Sequence, residues 1–245
     1  MVVIFSISTA TFANPKYGPK AVPLSLGTNQ SYFKKNNAPD FWALMPYYVG
    51  QETKSGCSAA AFTTTLNAAR TVKGLSSDTP LVTFHSLAEK HTDDRYKKTI
   101  LGGFSIEKFD RSNVAIKKHW EVLKLAVHNL GLENPGTQID LNVIDSNNLD
   151  ASRKLFHDKL VENEKTANDF IVINFLQADL TGDPEGPGHV AVIGAYDAAK
   201  KLVLVLDPDR EWYEPYWSTE EDVFQSVIDP KSDPHPGWIY YRVRK

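Results

Sequence analysis

The feature that most constrains the fold is a change of hydrophobic period between the two halves of the chain. In the first half, apolar residues recur every three or four positions, as in Ile116, Trp120, Leu123 and Val127, and this spacing is typical of amphipathic helices. In the second half, short runs rich in β-branched and aromatic residues are bounded by Asp, Gly and Pro, which indicates strands. We therefore predict an α+β protein, in which a helical N-terminal lobe packs on a C-terminal antiparallel β-sheet lobe.

The two patterns also give approximate element bounds. Helices are predicted at Cys57–Val72, Phe84–His91, Asn113–Leu130 and Ala151–Asn163. Strands are predicted at Gln138–Val143, Phe170–Phe175, Val190–Tyr196, Leu202–Leu206 and Trp238–Val243. Because the sequence contains no internal repeat and no low-complexity linker, we predict that residues 14–245 form a single domain in two lobes.

The first residues have a different character. Met1–Ala13 is apolar, too short to span a bilayer, and ends in the small-x-small triplet Thr11-Phe12-Ala13, which suits the cleavage site of a secretory signal. We predict that this segment is an export signal and that the protein is exported or periplasmic. The alternatives are a first strand packed on the domain and a cytoplasmic protein.

Charge and cysteine content exclude several classes of function. The net charge of −3 gives no electrostatic basis for binding nucleic acid or an anionic membrane surface. The single cysteine, Cys57, excludes an internal disulfide and a metal site built on several thiolates. A lone cysteine is often just a small buried apolar side chain, so its neighbours decide its interpretation.

Cys57 follows Gly56 at the predicted start of a helix that continues with Ser-Ala-Ala-Ala. Unpaired backbone N–H groups and the helix dipole at that position favour the thiolate, which is the nucleophilic form. The Cys57 N–H and the side-chain amide of Gln51, six residues upstream, are candidate donors to a developing oxyanion. The alternative for Gln51 is a surface residue in a polar loop.

A cysteine nucleophile needs a base, and His189 is the best candidate among seven histidines. It follows Gly186-Pro187-Gly188 and opens a predicted strand, whereas His85, His91, His119, His128 and His157 fall in predicted helices and His235 lies in a proline-rich turn. Asp207 ends the next strand. A hairpin centred near Ala198 would place His189 and Asp207 opposite each other, within one residue of register. The carboxylate would then orient the imidazole, although an Asp before Pro208 is also a common turn residue.

With these residues in place, the chain resembles the phytochelatin synthase family from about Tyr32 to Tyr241. The resemblance rests on YYVGQ at 47–51, Cys57 and LNA at 66–68, on GPGHVAVIGAY at 186–196, and on LVLDPDREWYEPYW at 204–217. The Gln–Cys spacing of six and the His–Asp spacing of eighteen also agree with the family pattern. Three motifs in the same order are far more specific than any one of them.

The resemblance implies a papain-like fold and a γ-glutamylcysteine dipeptidyl transferase that cleaves the Cys–Gly bond of glutathione through a thioester. It implies that Cys57 attacks, His189 transfers protons, Asp207 orients His189 and Gln51 holds the oxyanion. Residues near the substrate are implied to be Gly188, Arg210, Tyr213 and Asp229. The last three also fit a surface ion pair, a packed aromatic and a turn after a helix, respectively.

The resemblance further implies no cofactor held by protein cysteines, a heavy-metal ion entering only as a thiolate complex of the substrate, and no nucleic-acid or membrane partner. Lacking the cysteine-rich C-terminal region of plant-type members, the sequence suggests the bacterial type, in which hydrolysis exceeds polymer synthesis.

One departure concerns the substrate: Pro236 occupies a position where the family has an arginine for the glutamyl carboxylate. A papain-like peptidase or amidase with another acyl donor, and an exported protein that binds a thiol peptide without turnover, remain alternatives. The oligomeric state is open.

Overall fold

The fold is given by a computed structural model that describes residues 17–243 except 19, 77, 103–114, 185 and 232. Met1–Ala13 lies outside these residues, so the export signal stays a prediction. The helices of the described part are α1 (Pro39–Leu44), α2 (Cys57–Lys73), α3 (Phe84–Lys90), α4 (Asp94–Leu101), α5 (Ile116–Asn129), α6 (Leu149–Asn163), α7 (Gln177–Thr181) and α8 (Glu220–Ile228). The strands are β1 (Val22–Pro23), β2 (Gln138–Val143), β3 (Asp169–Leu176), β4 (Gly188–Asp197), β5 (Leu202–Leu206), β6 (Tyr216–Thr219) and β7 (Gly237–Arg242).

These bounds confirm the predicted α+β class and each predicted element to within a few residues. The predicted helix Asn113–Leu130 begins at Ile116 in the structure, and positions 113 and 114 lie outside the described residues. The elements that the sequence did not predict are short, namely α1, α4, α7, α8, β1 and β6. Short amphipathic segments give few repeats of the period, so they are hard to recognise without tertiary contacts.

The seven strands form one antiparallel sheet in the order β1-β6-β5-β4-β3-β7-β2. Strand β3 is buried along its whole length because helices cover both faces of the sheet. Side chains of α1 to α5 pack on the face that carries Val172, Val192 and Leu206. Side chains of α6 to α8 pack on the face that carries Ile173 and Val205. The predicted two-lobe arrangement included the first of these layers but not the second.

Strands β4 and β5 form a hairpin whose register differs from the prediction. Asp197 pairs with Leu202, so the turn is centred between positions 199 and 200, and Gly194 forms a bulge between the pairs Ala195–Leu204 and Ile193–Val205. Continued by one residue, this register places Asp207 opposite Ala191, which is two residues away from its predicted partner His189. The prediction of directly opposed residues is wrong, because the sequence showed neither the longer turn nor the extra residue of a bulge.

The bulge nevertheless has a decisive effect on the hairpin. Without it, the register of Ala195 and Leu204 would put Asp207 on the opposite face of the sheet from His189, since side chains alternate along a strand. The extra residue at Gly194 reverses that alternation. Leu206 then pairs with Val192, and Asp207 becomes a diagonal neighbour of His189 on one face, a separation that long side chains bridge.

The helical layer is tied to the sheet by a buried carboxylate. Asp233, in the loop before β7, accepts the backbone N–H of Ile116 at 2.5 Å and the side-chain amide of Asn174 at 3.2 Å. It therefore satisfies a first-turn donor of α5 from a distant part of the chain. Within the described residues, no helix has the length and apolar character required to cross a bilayer.

Candidate active site

Cys57 is the first residue of α2 and its side chain is partly exposed. The chain turns tightly into this helix at Gly56, where a Cβ atom would lie only 2.7 Å from the ring of Phe84. Within the part of the chain that the structure describes, no side chain caps the N-terminus of α2, so its first N–H groups are left for other acceptors. The predicted placement of the thiol at a helix N-terminus is confirmed, and this is a favourable environment for a thiolate.

Helix α4, which the sequence did not predict, holds the loop before Cys57 in place. The hydroxyl of Thr53 donates to the carbonyl of Ile100 at 2.7 Å, and that of Ser55 donates to the carbonyl of Thr99 at 2.8 Å. These carbonyls belong to the last turn of α4, where helical acceptors lack intrahelical partners. The loop that precedes the candidate nucleophile Cys57, here called the nucleophile loop, therefore donates to free carbonyls at the end of α4 and is fixed by these contacts.

One α4 side chain also reaches the start of α2. The hydroxyl of Tyr96 is 2.7 Å from that of Ser58, the residue after Cys57, and both side chains are buried. Burial raises the pKa of Tyr96 and the charge of Cys57 raises it further, so the phenol stays protonated beside the thiol. A tyrosine in a weakly periodic segment carried no sequence signal for this position.

His189 and Asp207 form a fully buried hydrogen-bonded pair. Nε2 of His189 lies 2.7 Å from Oδ1 of Asp207, with side-chain exposures of 3% and 0%. Burial by itself lowers the pKa of His189, but the carboxylate of Asp207 and hydrogen bonds to Asp207 and Cys57 raise it well above its usual value. The structure therefore brings Cys57, His189 and Asp207 together, although they come from three separate elements.

This arrangement has a specific chemical capacity. Because Nε2 of His189 faces Asp207, Nδ1 is the ring nitrogen that remains for Cys57. An imidazole in this position can take the proton of a neighbouring thiol, and the two groups then supply a nucleophile and a proton donor in one site.

Four donors hold the carboxylate of Asp207. Oδ1 accepts from His189 and from the backbone N–H of Asp209 at 2.9 Å, and Oδ2 accepts from Gln177 and from the hydroxyl of Tyr216, both at 3.0 Å. Burial acts to raise the pKa of Asp207, but the charge of His189 and these hydrogen bonds lower it below its usual value. Gln177 and Tyr216 were not among the predicted site residues, because nothing local in sequence links them to Asp207.

Gln51 lies beside the segment that follows Asp207. Its backbone N–H donates to the carbonyl of Pro208 at 2.7 Å, and its Oε1 is buried without a hydrogen-bond partner in the described part of the chain. Tyr48, three residues earlier, donates its hydroxyl to the carbonyl of Asp207. The segment from Tyr48 to Gln51 is thus attached directly to the segment that carries Asp207.

The other predicted site residues lie in different settings. Arg210 is exposed and stacks on the ring of Tyr48, with its guanidinium carbon 4.6 Å from the ring centroid. Gly188 opens β4 and pairs with Leu176. Tyr213 is buried, and its hydroxyl lies 3.5 Å from Asp183.

Asp229 lies at the C-terminal end of α8, where it accepts the backbone N–H of Lys231 at 2.7 Å. Burial raises the pKa of Asp179 on the adjacent helix α7, and the charge of Asp229 raises it further. Asp229 therefore lies on the α7 side of the molecule. Among the described residues, no cluster of three or more His, Cys, Asp or Glu side chains has the arrangement of a metal site.

Comparison with known proteins identifies a family that this chain matches. The model of the phytochelatin synthase family matches residues 20–238 of the 245 residues, a range that includes Gln51, Cys57, His189 and Asp207. A search of curated proteins found no match.

Proposed function

This chain belongs to the phytochelatin synthase family, and on that premise we propose that it is a cysteine-dependent γ-glutamylcysteine dipeptidyl transferase and glutathione hydrolase. The observation that carries the proposal is the buried contact of His189 with Asp207, together with the influence of Cys57 on the pKa of His189. The family points to acyl transfer from the Cys–Gly bond of glutathione, and a thiolate–imidazolium pair suits this reaction because the sulfur can hold the acyl group as a thioester.

In the acylation step, the Cys57 thiolate attacks the carbonyl carbon of the cysteinyl–glycine bond. The resulting oxyanion accepts hydrogen bonds from the Cys57 N–H and from the Gln51 amide. The His189 imidazolium then donates its proton to the glycine nitrogen, the C–N bond breaks, and glycine leaves. Asp207 keeps the ring of His189 oriented while it changes charge.

In the deacylation step, neutral His189 takes a proton from water or from the amine of a second glutathione. The activated oxygen or nitrogen attacks the thioester carbon, the C–S bond breaks, and the Cys57 thiolate is restored. Water gives γ-glutamylcysteine, and the amine gives a peptide longer by one γ-glutamylcysteine unit. We propose hydrolysis as the main outcome and short phytochelatins as the minor one.

Two of the predicted substrate-binding residues are charged in a way that suits a zwitterionic peptide. The exposed guanidinium of Arg210, stacked on Tyr48, can bind a substrate carboxylate in a bidentate manner. We assign Asp229 to the γ-glutamyl ammonium, and Gly188 and Tyr213 to the walls of the substrate site. A heavy-metal ion enters this scheme only as the thiolate complex of a second glutathione, that is, as substrate.

The test is intact-protein mass spectrometry after brief exposure to glutathione, combined with a glycine-release assay. Because Cys57 is the only cysteine in the sequence, a covalent adduct of γ-glutamylcysteinyl mass identifies both the nucleophile and the acyl donor. We expect the adduct and glycine release in the natural protein and neither in Cys57→Ala. Glycine release that persists in Cys57→Ala would refute the proposal.

Two control series separate the rival functions. Simple peptides that end in glycine replace glutathione in the same assay, and faster release from them would favour a papain-like peptidase or amidase. Cys57→Ser tests a protein that binds thiol peptides without turnover, because such a protein would keep its full function after this change.

Cadmium or zinc, added at fixed glutathione, tests whether the metal–thiolate complex is the better acceptor.

A further inference from the structure

Gln177 has an unusual position for a glutamine. It is the first residue of α7, directly after β3, and its side chain is buried with only 2% exposure. Its backbone N–H donates to the carbonyl of Pro187 at 3.1 Å, in the loop that leads to His189. A buried amide at the end of an interior strand requires polar partners, because an unpaired polar group is costly to bury.

Those partners are the acidic groups at the end of β5. Nε2 of Gln177 donates to Oδ2 of Asp207 at 3.0 Å. Burial raises the pKa of neighbouring Asp209, and the Gln177 amide acts to lower it. A primary amide has two N–H donors on one nitrogen, so a single glutamine can serve two carboxylates. An ionised carboxylate can only accept hydrogen bonds, so the nitrogen end of the Gln177 amide has to face it.

The contact determines how Asp207 can turn. Gln177 and Tyr216 hold Oδ2, and this leaves Oδ1 facing His189. Without Gln177, Tyr216 alone would hold Oδ2, and the carboxylate would rotate more easily about its Cβ–Cγ bond, which is a soft torsion. The acceptor of the imidazole would then be less firmly fixed.

We propose that Gln177 is a positioning residue of the catalytic centre, which keeps Asp207 ionised and oriented towards His189 without contacting the substrate. The inference rests on the proposed function only in taking the Cys57–His189 pair as the reactive centre. It is distinct from a packing role, because a residue that merely fills space would be replaceable by an apolar side chain of equal length.

Several titratable groups surround Asp207 or feel its charge. They are His189 on β4, Asp209 after β5, Tyr216 on β6, Tyr48 before the nucleophile loop, and Tyr17 and Tyr213. Gln177 adds a neutral donor to this buried anion. Its removal therefore favours protonation of Asp207 and weakens support for the His189 imidazolium.

The experiment compares Gln177→Met and Gln177→Glu with the natural protein. Met has a similar length but no donor, whereas Glu has the same shape and donates only when protonated. The readout is the rate of Cys57 alkylation by iodoacetamide from pH 4 to 10, which needs no substrate. Gln225→Met is the matched control, because Gln225 also donates to a carboxylate, that of Glu221, but at the exposed surface of α8.

For Gln177→Met we expect alkylation near neutral pH to fall about tenfold to a hundredfold, the factor for loss of a hydrogen bond to a charged group. We expect its acid limb to move to higher pH. Gln177→Glu should keep more reactivity than Gln177→Met at low pH and lose this advantage as pH rises and the shared proton leaves. Gln225→Met should match the natural protein.

Folded Gln177→Met with the natural rate and pH profile would overturn the inference. If Gln177→Met does not fold, Gln177→Glu decides alone, and a profile identical to that of the natural protein overturns the inference. Glycine release from glutathione is measured in parallel. If the natural protein releases no glycine but the alkylation results hold, the proposed function fails and the positioning role stands.

Discussion

Gly194→Ala is the substitution that most directly tests how the hairpin builds the candidate site. Gly194 is the bulged residue of β4, and a Cβ atom at this position would lie 2.7 Å from Cγ and 2.8 Å from Cδ2 of Leu206. Leu206 is only 1% exposed and directly precedes Asp207. The added methyl group therefore has to displace a buried side chain next to the candidate catalytic aspartate.

Two effects of opposite sign determine the change in stability. Gly194 is not among the glycines with positive φ in the described residues, so alanine by itself would stabilise the protein by about 0.4–1 kcal/mol through the unfolded state. Overpacking of a tight core costs about 1–3 kcal/mol, and Cβ contacts below 3.0 Å are outside the normal range. We expect overpacking to prevail, with a net loss of about 1–2 kcal/mol in the free energy of unfolding.

Urea denaturation gives the stability, and Cys57 alkylation gives the state of the site. Leu206→Ala and the double variant Gly194→Ala/Leu206→Ala complete a mutant cycle. The cost of Gly194→Ala should largely disappear in the Leu206→Ala background, because the atoms that clash have been removed. A Gly194→Ala protein as stable and as reactive as the natural one would refute the role assigned to the bulge.

Three further predictions concern buried polar groups. Tyr96→Phe should lower the free energy of unfolding by about 1–2 kcal/mol and slow Cys57 alkylation, because the buried Ser58 hydroxyl loses its partner. Tyr241→Phe is the control and should be neutral in both assays, since the Tyr241 hydroxyl is unpaired within the described residues. Burial raises the pKa of Glu164 to about 7; the natural protein should therefore lose stability in urea titrations as pH rises from 4.5 through 7, and Glu164→Gln should not. The pKa of Asp207 is lowered in the folded state, so its contribution to stability is present above pH 3.8 and is lost as pH falls through the folded-state pKa. The stability advantage of the natural protein over Asp207→Asn in urea should therefore shrink in acid. The pKa of His189 is raised, so its contribution is present below pH 6.5 and is lost as pH rises through the folded-state pKa.

The sequence was informative wherever a local pattern has one physical meaning. The stripe on α5 predicted its buried face, because helical geometry alone places those residues together. The glycine before Cys57 and the alanines after it predicted the start of α2. His189 was distinguished from six other histidines by its place at the mouth of a strand.

The register of the β4–β5 hairpin shows the limit of such reasoning. The sequence contains Gly194, but a glycine in a strand pattern does not reveal whether it forms a bulge. The contact between His189 and Asp207 was predicted for an incorrect pairing and is made as a diagonal contact instead. Both arrangements bring the residues within reach, so the correct contact did not depend on the correct register.

The amino-acid sequence thus determined the class of fold and predicted the candidate nucleophile and its two candidate partners, because these depend on period, spacing and the side-chain chemistry of a few residues. Only the tertiary structure decided which groups support them: Gln177 and Tyr216 on Asp207, and α4 against the nucleophile loop. These contacts join residues far apart in the chain whose local sequence has no distinguishing pattern. Their partners are fixed only when the sheet and both helical layers pack together.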